Sequence, residues 1–77
     1  MSEKLPRVDC DDLIRALRRA GFVSVRQRGT HMHLKRYSDN RRVTVPMHKG
    51  RTVPIGTLKA ILRDADIDPE KFRELLS

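Results

Sequence analysis

A chain of 77 residues with a net charge of +7 is long enough for one domain, which we expect to span residues 1–77. It is too short for a second catalytic domain or a dedicated cofactor fold. Residues 15–63 hold thirteen of the seventeen Lys and Arg side chains and a single acid, Asp39, whereas the flanking segments are net acidic. This basic block indicates a polyanionic partner such as nucleic acid; a solvated basic surface without a partner is the plainer alternative.

The sequence also points away from membranes and secretion. No apolar stretch approaches the roughly 18–20 residues of a membrane span, and residues 1–4 lack the apolar character of a secretion signal. Cys10 is the single cysteine, so no disulfide can form within the chain. We therefore expect a cytoplasmic protein. Cys10 itself fits a small core residue at a helix start better than a reactive thiol.

The first predicted element is an amphipathic helix that begins after Asp9 and ends before Gly21. Asp9 is suited to cap the helix start, and Gly21 to adopt the left-handed conformation that ends it. Apolar residues recur at helical spacing and predict one buried stripe, formed by Cys10, Leu13, Ile14, Leu17 and Ala20.

Three short strands are predicted next, over residues 22–28, 31–37 and 41–45. Turn residues separate them at 29–30 and 38–40, which indicates an antiparallel meander. Alternation predicts that one face of the sheet is buried through Val23, Val25, Met32, Leu34, Val43 and Val45. The opposite face, which carries His31, His33 and Lys35, is expected to be open to solvent.

Two more helices complete the prediction. The second has a buried stripe of Leu58, Ile61, Leu62 and Ala65. The third is short, with Asp68 as its cap and Pro69 in its first turn, and Ile67 is placed to pack on Phe72. The order α-β-β-β-α plus a terminal helix predicts a two-layer α+β domain, with the first two helices covering one face of the sheet.

His31 is the leading candidate for chemistry. It follows the turn residues Gly29 and Thr30, lies on the predicted open face, and is flanked by Arg26, Arg28 and Lys35. An imidazole can exchange a proton near neutral pH, and neighbouring cations can stabilise charge on a phosphate. Cleavage of RNA without a metal requires both functions. The alternative is a surface histidine without a role.

His33 and His48 are possible second catalytic groups. His33 lies on the same predicted face as His31, and His48 follows the third strand. Either could instead be a surface residue. The three histidines could also bind a metal ion together, but the surrounding positive charge and the lack of a nearby carboxylate or thiol argue against a metal site. We therefore expect neither a metal nor another cofactor.

Four segments in order resemble the HicA (YcfA-like) mRNA interferase toxins. They are residues 20–22 (AGF), 25–34 (VRQRGTHMHL), 43–48 (VTVPMH) and 54–62 (PIGTLKAIL). The resemblance covers residues 10–67 and leaves the tail after Ile67 unassigned. Thr30 stands where the family more often has serine, and both residues present a hydroxyl at a turn.

The resemblance implies a double-stranded-RNA-binding-domain-like fold and a metal-independent endoribonuclease that cleaves mRNA. His31 matches the histidine of the family's Gly-Ser-His element and so takes the catalytic role, as general base or acid. The resemblance also implies a HicB-type antitoxin partner. From the charge of the toxin we expect this antitoxin to be acidic and to mask the His31 face.

The basic residues of the same region are the candidates for RNA binding, together with the turn hydroxyl. They are Arg26, Arg28, Thr30, Lys35, Arg42 and Lys49. Two other functions stay open from the sequence. One is a non-catalytic double-stranded-RNA-binding module of the same fold; the other is a protein-interaction domain whose basic face binds an acidic partner.

Overall fold

The computed structural model describes residues 5–77. The elements are α1 (Cys10–Arg19), β1 (Val23–Arg28), β2 (His31–Arg36), β3 (Arg41–Pro46), α2 (Ile55–Asp64) and α3 (Pro69–Leu76). Their order and type confirm the predicted α+β architecture, consistent with a double-stranded-RNA-binding-domain-like fold. The expectation that residues 1–4 carry no secretion signal lies outside the described residues. In residues 5–77, no helix has the length and apolar character needed to cross a membrane.

Helix α1 begins and ends at the residues that the sequence indicated. Asp12 N–H donates to Asp9 Oδ1 at 2.8 Å, and Asp9 N–H reaches back to Asp12 Oδ2 at 3.4 Å, which forms a reciprocal cap. Gly21 has a φ of +100° just after the helix, a conformation that other residues rarely adopt. The predicted stripe faces the core, with Leu13 and Leu17 fully buried.

The sheet is a three-stranded antiparallel meander in the order β1-β2-β3. A four-residue loop joins β2 to β3, and Arg36 pairs with Arg41 beside it. The register therefore places His33 opposite Thr44 and His31 opposite Pro46. Helix α2 packs against β3, and α1 packs against both β3 and α3. The helices thus cover one face of the sheet and leave the other face open, as predicted.

The prediction that Val23 and Val25 face the core is wrong. Their exposed fractions are 48% and 49%, because a β-bulge lies between Ser24 and Arg26 and makes Val25 the extra residue of β1. Phe22, at the start of the strand, fills the core instead. Ser24 accepts a 3.4 Å hydrogen bond from Arg18 of α1, so its side chain lies on the helix-covered face.

Arg36 is a structural cation within the basic block. Its guanidinium donates to the carbonyl oxygens of Ala20 at 3.1 Å and Ala65 at 2.9 Å, which follow the last residues of α1 and α2. It lies 4.6 Å from the centroid of the Phe22 ring and pairs with Asp39 at 2.8 Å. The hydrogen bond from Arg36 lowers the pKa of the Asp39 carboxyl, and the same bond raises the pKa of Arg36.

Helix α3 has a structural role that the sequence left open. Asp68 caps its first turn by accepting from Lys71 N–H at 2.8 Å, and the side chains of Ile67 and Phe72 are both buried in the core. Arg19 at the end of α1 donates to the carbonyl oxygen of Leu75 at 2.7 Å. The segment after residue 67 therefore packs against α1 and contributes Phe72 and Leu75 to the core.

Candidate functional site

The candidate site lies on the sheet face that no helix covers. Residues that pair directly across antiparallel strands share a face, so the register defines three rows on it. We call this surface the outer face. Its rows are Arg28–His31–Pro46, Arg26–His33–Thr44 and Val23–Lys35–Arg42.

His31 is the first residue of the central strand and is exposed. Gly29, with a φ of +57°, forms the turn that precedes it. Met47 N–H donates to the carbonyl oxygen of Thr30 at 2.6 Å, which fixes the backbone beside His31 to the segment after β3. Among the described residues, no side chain forms a hydrogen bond with the imidazole of His31. Both ring nitrogens are therefore available to a substrate.

His33 lies two residues further along β2 and is half-buried. Its Nδ1 atom lies 3.1 Å from the hydroxyl oxygen of Thr44, the residue opposite it on β3. Either atom can be the donor of this hydrogen bond, depending on the tautomer of the ring. The contact holds the ring in one orientation and leaves Nε2 as its second polar atom.

A broad, open depression crosses the outer face around His33 and continues to α2. Its volume is about 820 Å³, and it is lined by side chains from all three strands and by one side of the helix. The polar and charged side chains among them are Arg26, His33, Lys35, Tyr37, Arg42, Thr44, Thr57 and Asp64. Asp64 is the single acid in this lining. The shape and charge suit an extended anionic ligand better than a small enclosed one.

The predicted cations of the outer face have no acidic partners. Arg26, Arg28 and Arg42 are exposed, and Lys35 Nζ lies 4.7 Å from the centroid of the Tyr37 ring. In residues 5–77 none of these four side chains forms an ion pair, whereas Arg36 and Arg41 both pair with Asp39. The four unpaired cations therefore concentrate positive potential around the two histidines.

Thr30 and Lys49, the other predicted RNA-binding residues, lie toward one end of the sheet. Thr30 is in the β1–β2 turn, and Lys49 is in the loop after β3, where the backbone turns at Gly50 with a φ of +78°. The hydrogen bond between Met47 and Thr30 holds the start of this loop beside the turn. Both residues are exposed and flank the end of β2 that carries His31.

His48 does not share the depression with His33. Its side chain lines a separate cavity of about 220 Å³ with Cys10, at the start of α1, and with Thr52 and Val53. Cys10 is almost fully buried, as expected for a core residue. Within the described part of the chain, no three His, Cys, Asp or Glu side chains come together in a group that could hold a metal ion.

Sequence reasoning missed two strand residues of this site, Val25 and Thr44. Val25 joins the outer face because of the bulge, for which the sequence carries no distinctive signal. Thr44 contacts His33 because the β2–β3 loop has four residues. The predicted strand ends, with a three-residue turn at 38–40, would instead pair Tyr37 with Arg41 and place His33 opposite Val45, so the sequence did not indicate this pair.

The comparisons agree with the architecture and with the motifs. The family model described as "HicA toxin of bacterial toxin-antitoxin" matches residues 10–67, which include α1, the whole sheet and α2. No curated protein matches the chain. Since the family match covers most of the chain, the protein belongs to the HicA toxin family of bacterial toxin–antitoxin systems.

Proposed function

We propose that this HicA toxin is a metal-independent endoribonuclease that cleaves mRNA. His31 exchanges a proton with the reacting RNA, and the outer face binds the RNA backbone. The RNA contacts come from Arg26, Arg28, Thr30, Lys35, Arg42 and Lys49. A HicB-type antitoxin neutralises the activity by covering the same face.

One observation carries this proposal: an exposed imidazole on the central strand, beside cations that have no acidic partners. His31 pairs directly with Arg28 of the neighbouring strand β1, and Arg26 lies in the next row of the same face. A phosphate held by these arginines lies within reach of the imidazole. The rigid sheet provides the preorganised electrostatic environment that stabilises charge in a transition state.

The chemistry follows from these groups. RNA carries its own nucleophile, the 2′-hydroxyl, so a base that removes its proton can start the reaction without a bound metal. The 2′-oxygen attacks the adjacent phosphorus, the bond to the 5′-oxygen breaks, and the arginines stabilise the charge on the phosphoryl oxygens. The first products are a 2′,3′-cyclic phosphate and a 5′-hydroxyl.

The antitoxin follows from the family and from the charge. Toxin–antitoxin membership implies a partner that neutralises the toxin. An acidic partner on the outer face would exclude RNA, because both ligands need the same cations.

The experiment is a cleavage assay on single-stranded and double-stranded RNA, with EDTA present and with His31→Ala as the matched variant. We expect cleavage that survives EDTA, 2′,3′-cyclic phosphate ends, and loss of activity in His31→Ala. The fold should be unchanged because the side chain is exposed, and circular dichroism checks this point. Activity at the normal level in His31→Ala, or 5′-phosphate ends that require a divalent ion, contradicts the proposal.

The same assay separates the rival functions. Tight RNA binding without cleavage would identify a non-catalytic double-stranded-RNA-binding module. Absence of salt-dependent RNA binding would instead favour a protein-interaction domain, because contacts to phosphates release counterions and make affinity depend strongly on salt.

A further inference from the structure

We propose that His33 is the second catalytic residue, the group that protonates the leaving 5′-oxygen, and that Thr44 positions its ring. The observation behind this assignment is the 3.1 Å contact between His33 Nδ1 and Thr44 Oγ1 on the outer face. The inference rests on the proposed endoribonuclease function. It goes further by assigning the two halves of the proton transfer to two side chains.

The spacing of the two histidines suits an in-line displacement. His31 and His33 are two residues apart on β2 and point to the same face, so their Cα atoms are about 6.8 Å apart at the antiparallel rise of about 3.4 Å per residue. In phosphoryl transfer, the attacking and leaving oxygens lie on opposite sides of the phosphorus. Two proton carriers that each stand about 3 Å from their oxygen therefore flank a single phosphate.

The hydrogen bond determines which nitrogen of His33 does the work. A protonated imidazole has two N–H groups, and the Thr44 hydroxyl oxygen can accept the one on Nδ1. Nε2–H then remains for the substrate. His31 has no such acceptor among the described residues, and a general base needs only one free nitrogen lone pair. This difference assigns the acid role to His33 and the base role to His31.

The step balances in protons and electrons. The 2′-hydroxyl gives its proton to His31, and the 2′-oxygen forms the new bond to phosphorus. The bond between phosphorus and the 5′-oxygen breaks, and that oxygen takes the proton from Nε2 of His33. His33 finishes as a neutral ring that still donates from Nδ1 to Thr44. No metal, oxidant or further reactant takes part.

The other candidates for the acid are placed less well. His48 lines the small cavity beside Cys10 and is in none of the three rows of the outer face. Lys35 is in the row beyond His33, with its ammonium over the ring of Tyr37. His33 is the histidine that lies both next to His31 and within the basic depression.

A substrate with a better leaving group tests the assignment directly. The substrate is a short RNA in which sulfur replaces the bridging 5′-oxygen at one cleavage site. A thiolate leaves without being protonated, so loss of a general acid no longer matters. We expect His33→Ala to cleave ordinary RNA about 10²–10³-fold more slowly than the unaltered protein, and the sulfur substrate at close to its rate. His31→Ala should be slow on both substrates.

The outcomes separate this inference from the function on which it rests. If the unaltered protein cleaves neither substrate, the proposed function fails. If it cleaves both and His33→Ala matches it on ordinary RNA, the function stands and the role of His33 is wrong. A His33→Ala protein that is equally slow on both substrates also overturns the acid role, because the defect then lies in binding or folding.

Thr44 requires a readout that a merely structural role would not change. Thr44→Val removes the hydroxyl and keeps the shape, whereas Thr44→Ser keeps the hydroxyl. We expect Thr44→Val to cleave ordinary RNA about tenfold more slowly than the unaltered protein and to cleave the sulfur substrate at an unchanged rate. Thr44→Ser should cleave ordinary RNA at the normal rate. Nitrogen NMR of the His33 ring should show less of the Nδ1–H tautomer in Thr44→Val. An unchanged tautomer population together with an unchanged rate overturns the positioning role.

Discussion

Arg36 Nη2 donates a 2.9 Å hydrogen bond to the carbonyl oxygen of Ala65, although the two residues are far apart in sequence. A second nitrogen of the same guanidinium reaches Ala20, so one side chain satisfies carbonyl groups at the ends of both α1 and α2. The cation also lies at the helix ends where positive charge is favourable. This arrangement makes Arg36 a stability residue, in contrast to Arg26, Arg28 and Arg42, which are exposed and form no ion pair among the described residues.

The first prediction follows from these contacts. Arg36→Met leaves two carbonyl groups without their charged donor, so we expect a loss of about 2–3 kcal/mol in the free energy of unfolding. Arg15→Met, which breaks only the exposed pair with Asp12, should stay within about 0.5 kcal/mol. Urea titration measures both. Equal effects of the two substitutions would show that Arg36 makes no special contribution.

A second prediction concerns the stability of the protein at low pH. Because the pKa of Asp39 is lowered in the folded state, its carboxylate stabilises the protein above the ordinary aspartate pKa of about 3.9. The contribution is lost as the pH falls below that value toward the lowered pKa. Asp39→Asn should therefore be less stable than the unaltered protein at pH 6, and the difference should shrink in strong acid. A difference that is constant with pH would contradict this linkage.

The third prediction tests the turn before His31. Gly29 has a φ of +57° and no atom within 4 Å of an added Cβ, so Gly29→Ala meets no steric clash and only backbone strain. We expect a cost of about 1 kcal/mol in unfolding free energy. Gly29→Asn should cost less, because asparagine tolerates this conformation better than alanine. A larger loss with asparagine than with alanine would rule out backbone strain as the cause.

The fourth prediction concerns the RNA contacts. Replacing Arg26 or Arg42 with glutamine should weaken binding and reduce the slope of log affinity against log salt by about 1 for each residue. Arg15→Gln, on the exposed side of α1, is the control and should leave the slope unchanged. Binding is measured with an RNA that carries a 2′-deoxy substitution at the cleavage site. An equal loss of affinity in all three variants would show that the RNA does not bind specifically to the outer face.

The fifth prediction concerns the antitoxin. Reversing the charge of Arg26 and Lys35 together should slow association with the acidic partner, and added salt should slow association of the unaltered toxin. Both residues should also matter for RNA, because the two ligands use one surface. Stopped-flow association rates and an RNA competition assay measure these effects. Simultaneous binding of antitoxin and RNA without mutual loss of affinity would disprove the shared surface.

The sequence was sufficient to predict features that depend on local periodicity and capping. The caps formed by Asp9 and Asp68 each involve neighbours in sequence, and the sequence predicted both. The bulge at Val25 was not, because alternation of valines is equally compatible with a regular strand. The bulge places the side chain of Val23 on the outer face, and Phe22 fills the core instead.

The candidate site, like the fold, could be predicted from the sequence only in part. The shared face of His31 and His33 follows from the strand period of two. The depression also needs the position of α2, and neither Thr57 nor Asp64 carries a local signal for it. Likewise, nothing near Arg36 in the sequence indicates Ala65 as its partner, because the contact depends on how α2 packs.

The bulge at Val25 also bears on how copies of this protein meet. β1 lies at one edge of the sheet, and regular, flat edge strands can recruit a strand from another molecule. The extra residue twists β1 out of the shape that such pairing requires. Pairing of two β1 edges would also bring Arg26 and Arg28 of both copies together. The same distortion that exposes Val25 therefore disfavours pairing between the β1 edges of two copies.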